Sequence, residues 1–358
     1  MPAFLATARY LYPLLALLWL ALLLRVRRAE WLLAGVVAAN AYAWWVTNHP
    51  LQRIYALGPS FDRVSGLGMC QVVAAGNSPL RTWQVGQLHF EPFWSLLVAA
   101  LSGWDPERVL VLYPFLSLVT AAAFALSLYY GLGPRGPGEA WSSWERALVA
   151  GFATLLSSSP LDFAGVYRVP WALTFLLKPN HALGLVLLPV VLRAVASIKG
   201  WAGRIGAGLL LHLLGWVFVI HMMCVAVGLV VFAAVSSWSR REEARRDVLD
   251  VAVVLGVNLL AVSPYLLMLA IGYPAFRPAP HMVIAASSAH LLEITARVGW
   301  IFWLGAWGAA VAYRRGDRLG RLWATQVLGA ALVWVGYLLL SALQMGRASC
   351  RERVSSVV

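Results

Sequence analysis

The residues equipped for chemistry gather in a few polar stretches of an otherwise apolar chain. The largest, 48–94 (NHPLQRIYALGPSFDRVSGLGMCQVVAAGNSPLRTWQVGQLHFEPFW), holds His49, Arg53, Asp62, Arg63, Arg81, His89 and Glu91. Asp62 is a lone carboxylate among Gly and Pro. It is ionised at neutral pH unless strongly desolvated, which suits a general base. The same residue can serve structure, as an ion-pair partner of Arg63 or as a helix N-cap. His89 and Glu91 lie two apart, so on an extended segment they point the same way. They suit a second acid with its support, a pair of ligands for a divalent cation such as Mg or Mn, or an ordinary structural contact. A second polar stretch, 157–181, ends in LLKPNH and holds Asp162, Arg168, Lys178 and His181. Arg and Lys suit phosphate as fork and point charge. Asn180 and His181 open an apolar run, where helix N-terminal amides favour an anion. The alternative is snorkelling of these side chains beneath lipid headgroups. His221, deep in a long apolar run, can face the same place.

The elements that must position these residues are set by composition. The chain has 358 residues, 61% hydrophobic and 12% charged, with a mean hydropathy of +0.74. A soluble domain is about 45–50% apolar and about 25% charged. The excess falls in runs near the ~20 residues that cross a ~30 Å hydrocarbon core. These runs are too long and too evenly apolar for barrel strands. The expectation is an all-α, polytopic transmembrane bundle of about ten spans: 10–24, 31–46, 109–132, 147–156, 182–196, two from 205–235, 248–271, 298–313 and 322–343. The run 205–235 is too long for one span and is split near His221 into an antiparallel hairpin. The piece 93–101 is too short to span. Asp105-Pro106-Glu107-Arg108 reads as a helix start, with Pro in the first turn and an acid at the positive end of the dipole.

Charge orients the bundle. The net charge is +13, but the Arg residues lie in short clusters between apolar runs. That is the positive-inside pattern, which excludes a nucleic-acid stripe. With Arg25, Arg27 and Arg28 inside, alternation gathers sixteen basic residues on that side and nine outside, over longer stretches. Asp62, Glu91, Asp105, Glu107, Asp162 and Glu293 then share the outer face with His49, His89, His181, His221, His281 and His290, while the inner segments read as mostly Arg. Cys70, Cys224 and Cys350 show no pairing or metal spacing. The stretch 346–354, GRASCRERV, breaks abruptly from the preceding run and resembles the translation of a sequencing adapter. The expected division is one transmembrane domain over 1–345, the N-terminal part of a longer protein, and a non-native tail over 346–358.

FDRVSGLGMCQVVAAGNSPLRTW, then HFEPFWSLLVAALSGWDPERV and a long apolar run, resembles the first outer loop of GT-C superfamily membrane glycosyltransferases and their relatives. There an acid precedes a short helix, a Gly-containing turn, a His/aromatic-Pro segment and an apolar helix. KPNHALGLVLLPVVLR and the hairpin at His221 add to the likeness, which covers most of residues 30–270. Many members carry two acids close together in this loop; here Arg63 follows Asp62. The resemblance implies an inverting transfer of a sugar from a polyprenyl-phosphate donor to an acceptor hydroxyl, on the outer face of the plasma membrane. It makes Asp62 the general base, with cations on the leaving phosphate. The implied partners are the lipid-linked sugar donor and membrane lipids. The alternatives are a transporter and a non-catalytic multi-pass protein of envelope polysaccharide or lipid assembly.

Overall fold

The computed structural model describes residues 61–79, 92–131, 142–157, 179–239, 241–272, 305–314 and 316–332, with single positions at Trp31, Gly35, 335 and 336. Every element described is a helix. In chain order they are α1 (Phe61–Ala74), α2 (Pro92–Leu101), α3 (Pro106–Gly131), α4 (Ser143–Ser157), α5 (Pro179–Ala196), α6 (Gly200–Val217), α7 (Val219–Ser239) and α8 (Arg241–Gly272). Two more, α9 over 305–314 and α10 over 318–332, follow. The contacts divide the chain into two units. One comprises Met1–Arg193 with Leu213–His221, the other Ala194–His212 with Met222–Val358.

Local chemistry sets the helix ends in the first unit. α1 stops at Gly76, whose φ of 89° is left-handed. Gly76 N donates to Val73 O and Asn77 N to Val72 O, so the last carbonyls of α1 are satisfied by a Schellman turn. α2 ends the same way at Gly103, with Trp104 N bonded to Ala99 O. Trp104 also has a positive φ, 61°, so two successive left-handed residues reverse the chain before the next helix. Asp105 then caps α3 as its sequence predicts: its Oδ1 accepts from Glu107 N at 2.9 Å and Arg108 N at 3.3 Å. Ser142 and Glu145 start α4 with a reciprocal capping box: Ser142 N donates to Glu145 Oε2 and Glu145 N to Ser142 Oγ.

The apolar faces of α1, α2 and α3 close on one another through Cys70, Val73, Trp94, Val98, Val109 and Tyr113. Farther along, α3 and α5 lie side by side and parallel. Ser127 Oγ donates to Val186 O at 2.6 Å, and Pro189 packs where a methyl on Gly131 would stand. Pro189 has no N–H for the ladder and leaves the Leu185 carbonyl, one residue before Val186, without its helical donor. Arg193 Nη1 caps α3 by donating to Tyr130 O at 2.6 Å.

In the second unit, α6 leaves and α7 returns to one charged layer. Arg204 meets Asp250 and Gly208 meets Val257, so α6 and α8 run parallel. Ser236 meets Asp247, so α7 turns back into α8. The hairpin expected within 205–235 is therefore present, with its break at Phe218. α10 runs antiparallel to α7: Arg321 lies over Phe232, and Gly329 lies against Gly228. The glycines allow close approach, since a methyl on Gly329 would sit 2.5 Å from Gly228 N.

Among the described residues two helices are long and apolar enough to cross a membrane, through the windows His221–Trp238 and Glu242–Leu267. Val225, Leu229 and Phe232 of α7 and Val251 and Val254 of α8 are buried. On α8, Asp250 is wholly buried while Leu260 is 74% exposed. Leu259, Leu266 and Leu267 are exposed as well. α8 starts at Arg241, seven residues before its apolar run, because helical hydrogen bonding does not require apolar side chains. Glu242 and Glu243 in its first turn also favour the dipole.

Candidate functional site

Asp62 is the second residue of α1; its side chain lies outside the described residues. The described packed face of α1 lies later in the helix. Met69, Cys70 and Val73 are buried at helical spacing, and Gly66, one turn after Asp62, abuts Tyr113 of α3: a methyl there would come within 2.8 Å of Tyr113 Oη. Gln71 Nε2 ties α1 to α3 by donating to Pro106 O at 3.3 Å. Trp94 of α2 lies edge-on to Tyr113 with ring centres 6.1 Å apart. Its Nε1–H is buried and finds no acceptor among the described residues. Burial pushes the Cys70 thiol up to about 12, an effect that its hydrogen bond with Ser95 only partly offsets.

The first turns of α5 adjoin this cluster, since Leu183 packs against it. His181 is the third residue of α5; its side chain, like that of Asp62, lies outside the described residues. One turn on, Gly184 lies beneath His221: a methyl at Gly184 would come within 2.6 Å of His221 Nδ1 and 3.1 Å of Phe218 Cβ. The imidazole also meets the Phe218 ring edge-on, with centres 4.5 Å apart. α1 and the opening of α5 thus share one apolar cluster, and His221 rests on that opening. His89, Glu91, Arg168 and Lys178 lie outside the described residues. Among the described residues no group of three His, Cys, Asp or Glu side chains is gathered to hold a metal.

A second polar constellation, in the second unit, was not anticipated from sequence. Asp250 accepts from Arg204 Nε at 2.7 Å and Arg318 Nη2 at 2.5 Å, with Arg246 Nε at 3.8 Å. Asp247 accepts from Ser236 Oγ at 2.9 Å and pairs with Arg318 at 3.1 Å. Arg321 joins Glu243 at 2.6 Å and approaches Asp247 at 3.9 Å. Arg318 and Arg246 also donate to the carbonyls of Ala196 and Ile198. These Arg-rich segments thus also carry Asp247 and Asp250, buried as partners of the arginines. The signal was there, in Asp247 and Asp250 three apart at the mouth of an apolar run; their partners lie far off in sequence. Each aspartate is held by several donors, so neither is a free base. The chemistry is that of a fastening, which sets the register of α6, α7, α8 and α10.

Comparison with family models, curated proteins and solved structures returns no match.

Proposed function

We propose that the chain is an integral, multi-pass glycosyltransferase of GT-C type. It transfers a sugar, with inversion, from a polyprenyl-phosphate donor to an acceptor hydroxyl on the outer face of the plasma membrane. The observation that carries this reading is the shared cluster beneath α1 and α5. The helix with Asp62 in its first turn and the helix opened by Asn180 and His181 are braced by the same side chains through Leu183. A general base and a phosphate-binding helix start need that kind of common support. The exposed leucines and buried aspartates of α8 favour lipid as its surroundings.

In this mechanism Asp62 takes the proton of the acceptor hydroxyl as its oxygen attacks the anomeric carbon. The bond from that carbon to the donor phosphate breaks, and the leaving phosphate departs toward Arg168, Lys178 and His181. His221 supports that end, and Glu91 with His89 supports the acid side. The test is sugar transfer by the full-length protein in vesicles supplied with polyprenyl-phosphate hexoses and pentoses. Asp62→Asn is expected to lose transfer at unchanged expression and melting temperature. Lys178→Gln is expected to raise the donor KM more than it lowers kcat. Wild-type rates in Asp62→Asn overturn the assignment of the base. Absence of transfer by the wild type with every donor favours a transporter or a non-catalytic assembly protein instead.

A further inference from the structure

We propose that the charged end of the second unit binds anionic phospholipid headgroups, selecting them over zwitterionic ones. This rests only on the membrane part of the reading above. The fastening consumes Arg204, Arg318 and Arg321 with the buried Asp247 and Asp250 and the half-exposed Glu243. At the same level Lys199, Arg245 and Arg314 are exposed, with no ion pair among the described residues. Arg246 is also largely exposed and holds Asp250 only at 3.8 Å. Glu242 and Glu243 are the exposed acids on α8, and Glu243 is already held by Arg321. Among the described residues at this end, four exposed cations, Lys199, Arg245, Arg246 and Arg314, thus stand against two exposed acids, one of them already paired, while Asp247 and Asp250 are buried.

Two tryptophans set the depth of this surplus. Trp201, in the first turn of α6, is 61% exposed, and Trp238, in the last turn of α7, is 92% exposed. The Arg204 guanidinium lies 4.9 Å from the Trp201 ring, joining the fastening to the outer ring. Exposed indoles at helix ends favour the membrane–water interface, which puts the ammonium and guanidinium groups at headgroup height. A phosphodiester with a net negative charge meets Lys and Arg without a competing choline or ethanolamine cation. A zwitterionic headgroup brings its own cation into the same field.

The test is native mass spectrometry of the detergent-solubilised chain equilibrated with equal phosphatidylglycerol and phosphatidylcholine. The wild type is expected to retain phosphatidylglycerol over phosphatidylcholine by about tenfold, since juxtamembrane basic residues each favour anionic lipid several-fold. The triple variant Lys199→Gln, Arg245→Gln, Arg314→Gln, all at exposed positions, is expected to approach parity with an unchanged melting temperature. Glycerol 3-phosphate is expected not to displace the lipid. Parity in the wild type, the same preference in the variant, or displacement by glycerol 3-phosphate overturns the proposal. A chain that stays monodisperse without detergent overturns the membrane reading itself.

Discussion

Replacing Asp250 by Asn removes one negative charge from a site with no exposed surface and leaves its partners in place. Arg204 and Arg318 approach it at 2.7 and 2.5 Å, with side chains only 13% and 15% exposed. Water therefore replaces little of what the carboxylate supplied. Two hydrogen bonds to a charged group at about 1.5–3 kcal/mol each give about 3–6 kcal/mol. Removing one partner of a buried ion pair costs about 3–5 kcal/mol. The expectation is thus a loss of about 3–5 kcal/mol, measured as equilibrium unfolding in mixed micelles. Because the cost comes from stranded guanidinium groups, Arg204→Gln combined with Asp250→Asn should cost less than the sum of the singles, by about 1–3 kcal/mol. An Asp250→Asn protein within about 0.5 kcal/mol of wild type, or strict additivity in the pair, would refute the reasoning.

Gly329→Ala should cost about 1–3 kcal/mol in the same unfolding assay, because its methyl would meet the Gly228 backbone at 2.5–2.6 Å. Gly68→Ala, where nothing lies within 4 Å, should instead stabilise α1 by about 0.5–1 kcal/mol. Asp105→Ala should cost about 0.5–2 kcal/mol through loss of the α3 cap, and Asp105→Ser should restore most of it. The rise of the Cys70 thiol from its ordinary 9.0 to about 12 lowers its thiolate fraction at pH 8 about a thousandfold. In a Cys224→Ser, Cys350→Ser background, maleimide labelling should therefore be slow and track unfolding. The folded pKa is the raised one, so the stability it confers is whole below pH 9 and falls as pH climbs toward 12.

The parts of this architecture legible in sequence are those written locally. Asp105-Pro106-Glu107 announces a helix start because the cap, the ring and the dipole act within one turn. The length of 205–235 announces a hairpin because one helix of that length exceeds a bilayer. Ser142 and Glu145 were equally local but sit in a Gly/Pro-rich turn that draws attention away from them. The fastening was not legible, because Asp250 finds Arg204 across 46 residues and Arg318 across 68. Sequence displays the charges without displaying who faces whom, and an Arg-rich segment reads as solvated until its carboxylates are seen buried. On the candidate site, the resemblance singled out Asp62, and the packing of Leu183 and Gly184 supplied what spacing alone had no means to give.

The ion-paired layer also serves as a depth gauge. From Arg204 to the break at Phe218 is fourteen residues, or about 21 Å of rise. The return from His221 to Ser236 is fifteen, about 22 Å. With that layer at one boundary of a hydrocarbon slab about 30 Å thick, the hairpin turns back some 9 Å before the other. Backbone that reverses at such a depth is tolerated only against protein or water. Here the reversal is met by protein, for His221 lies against Gly184 and the Phe218 ring.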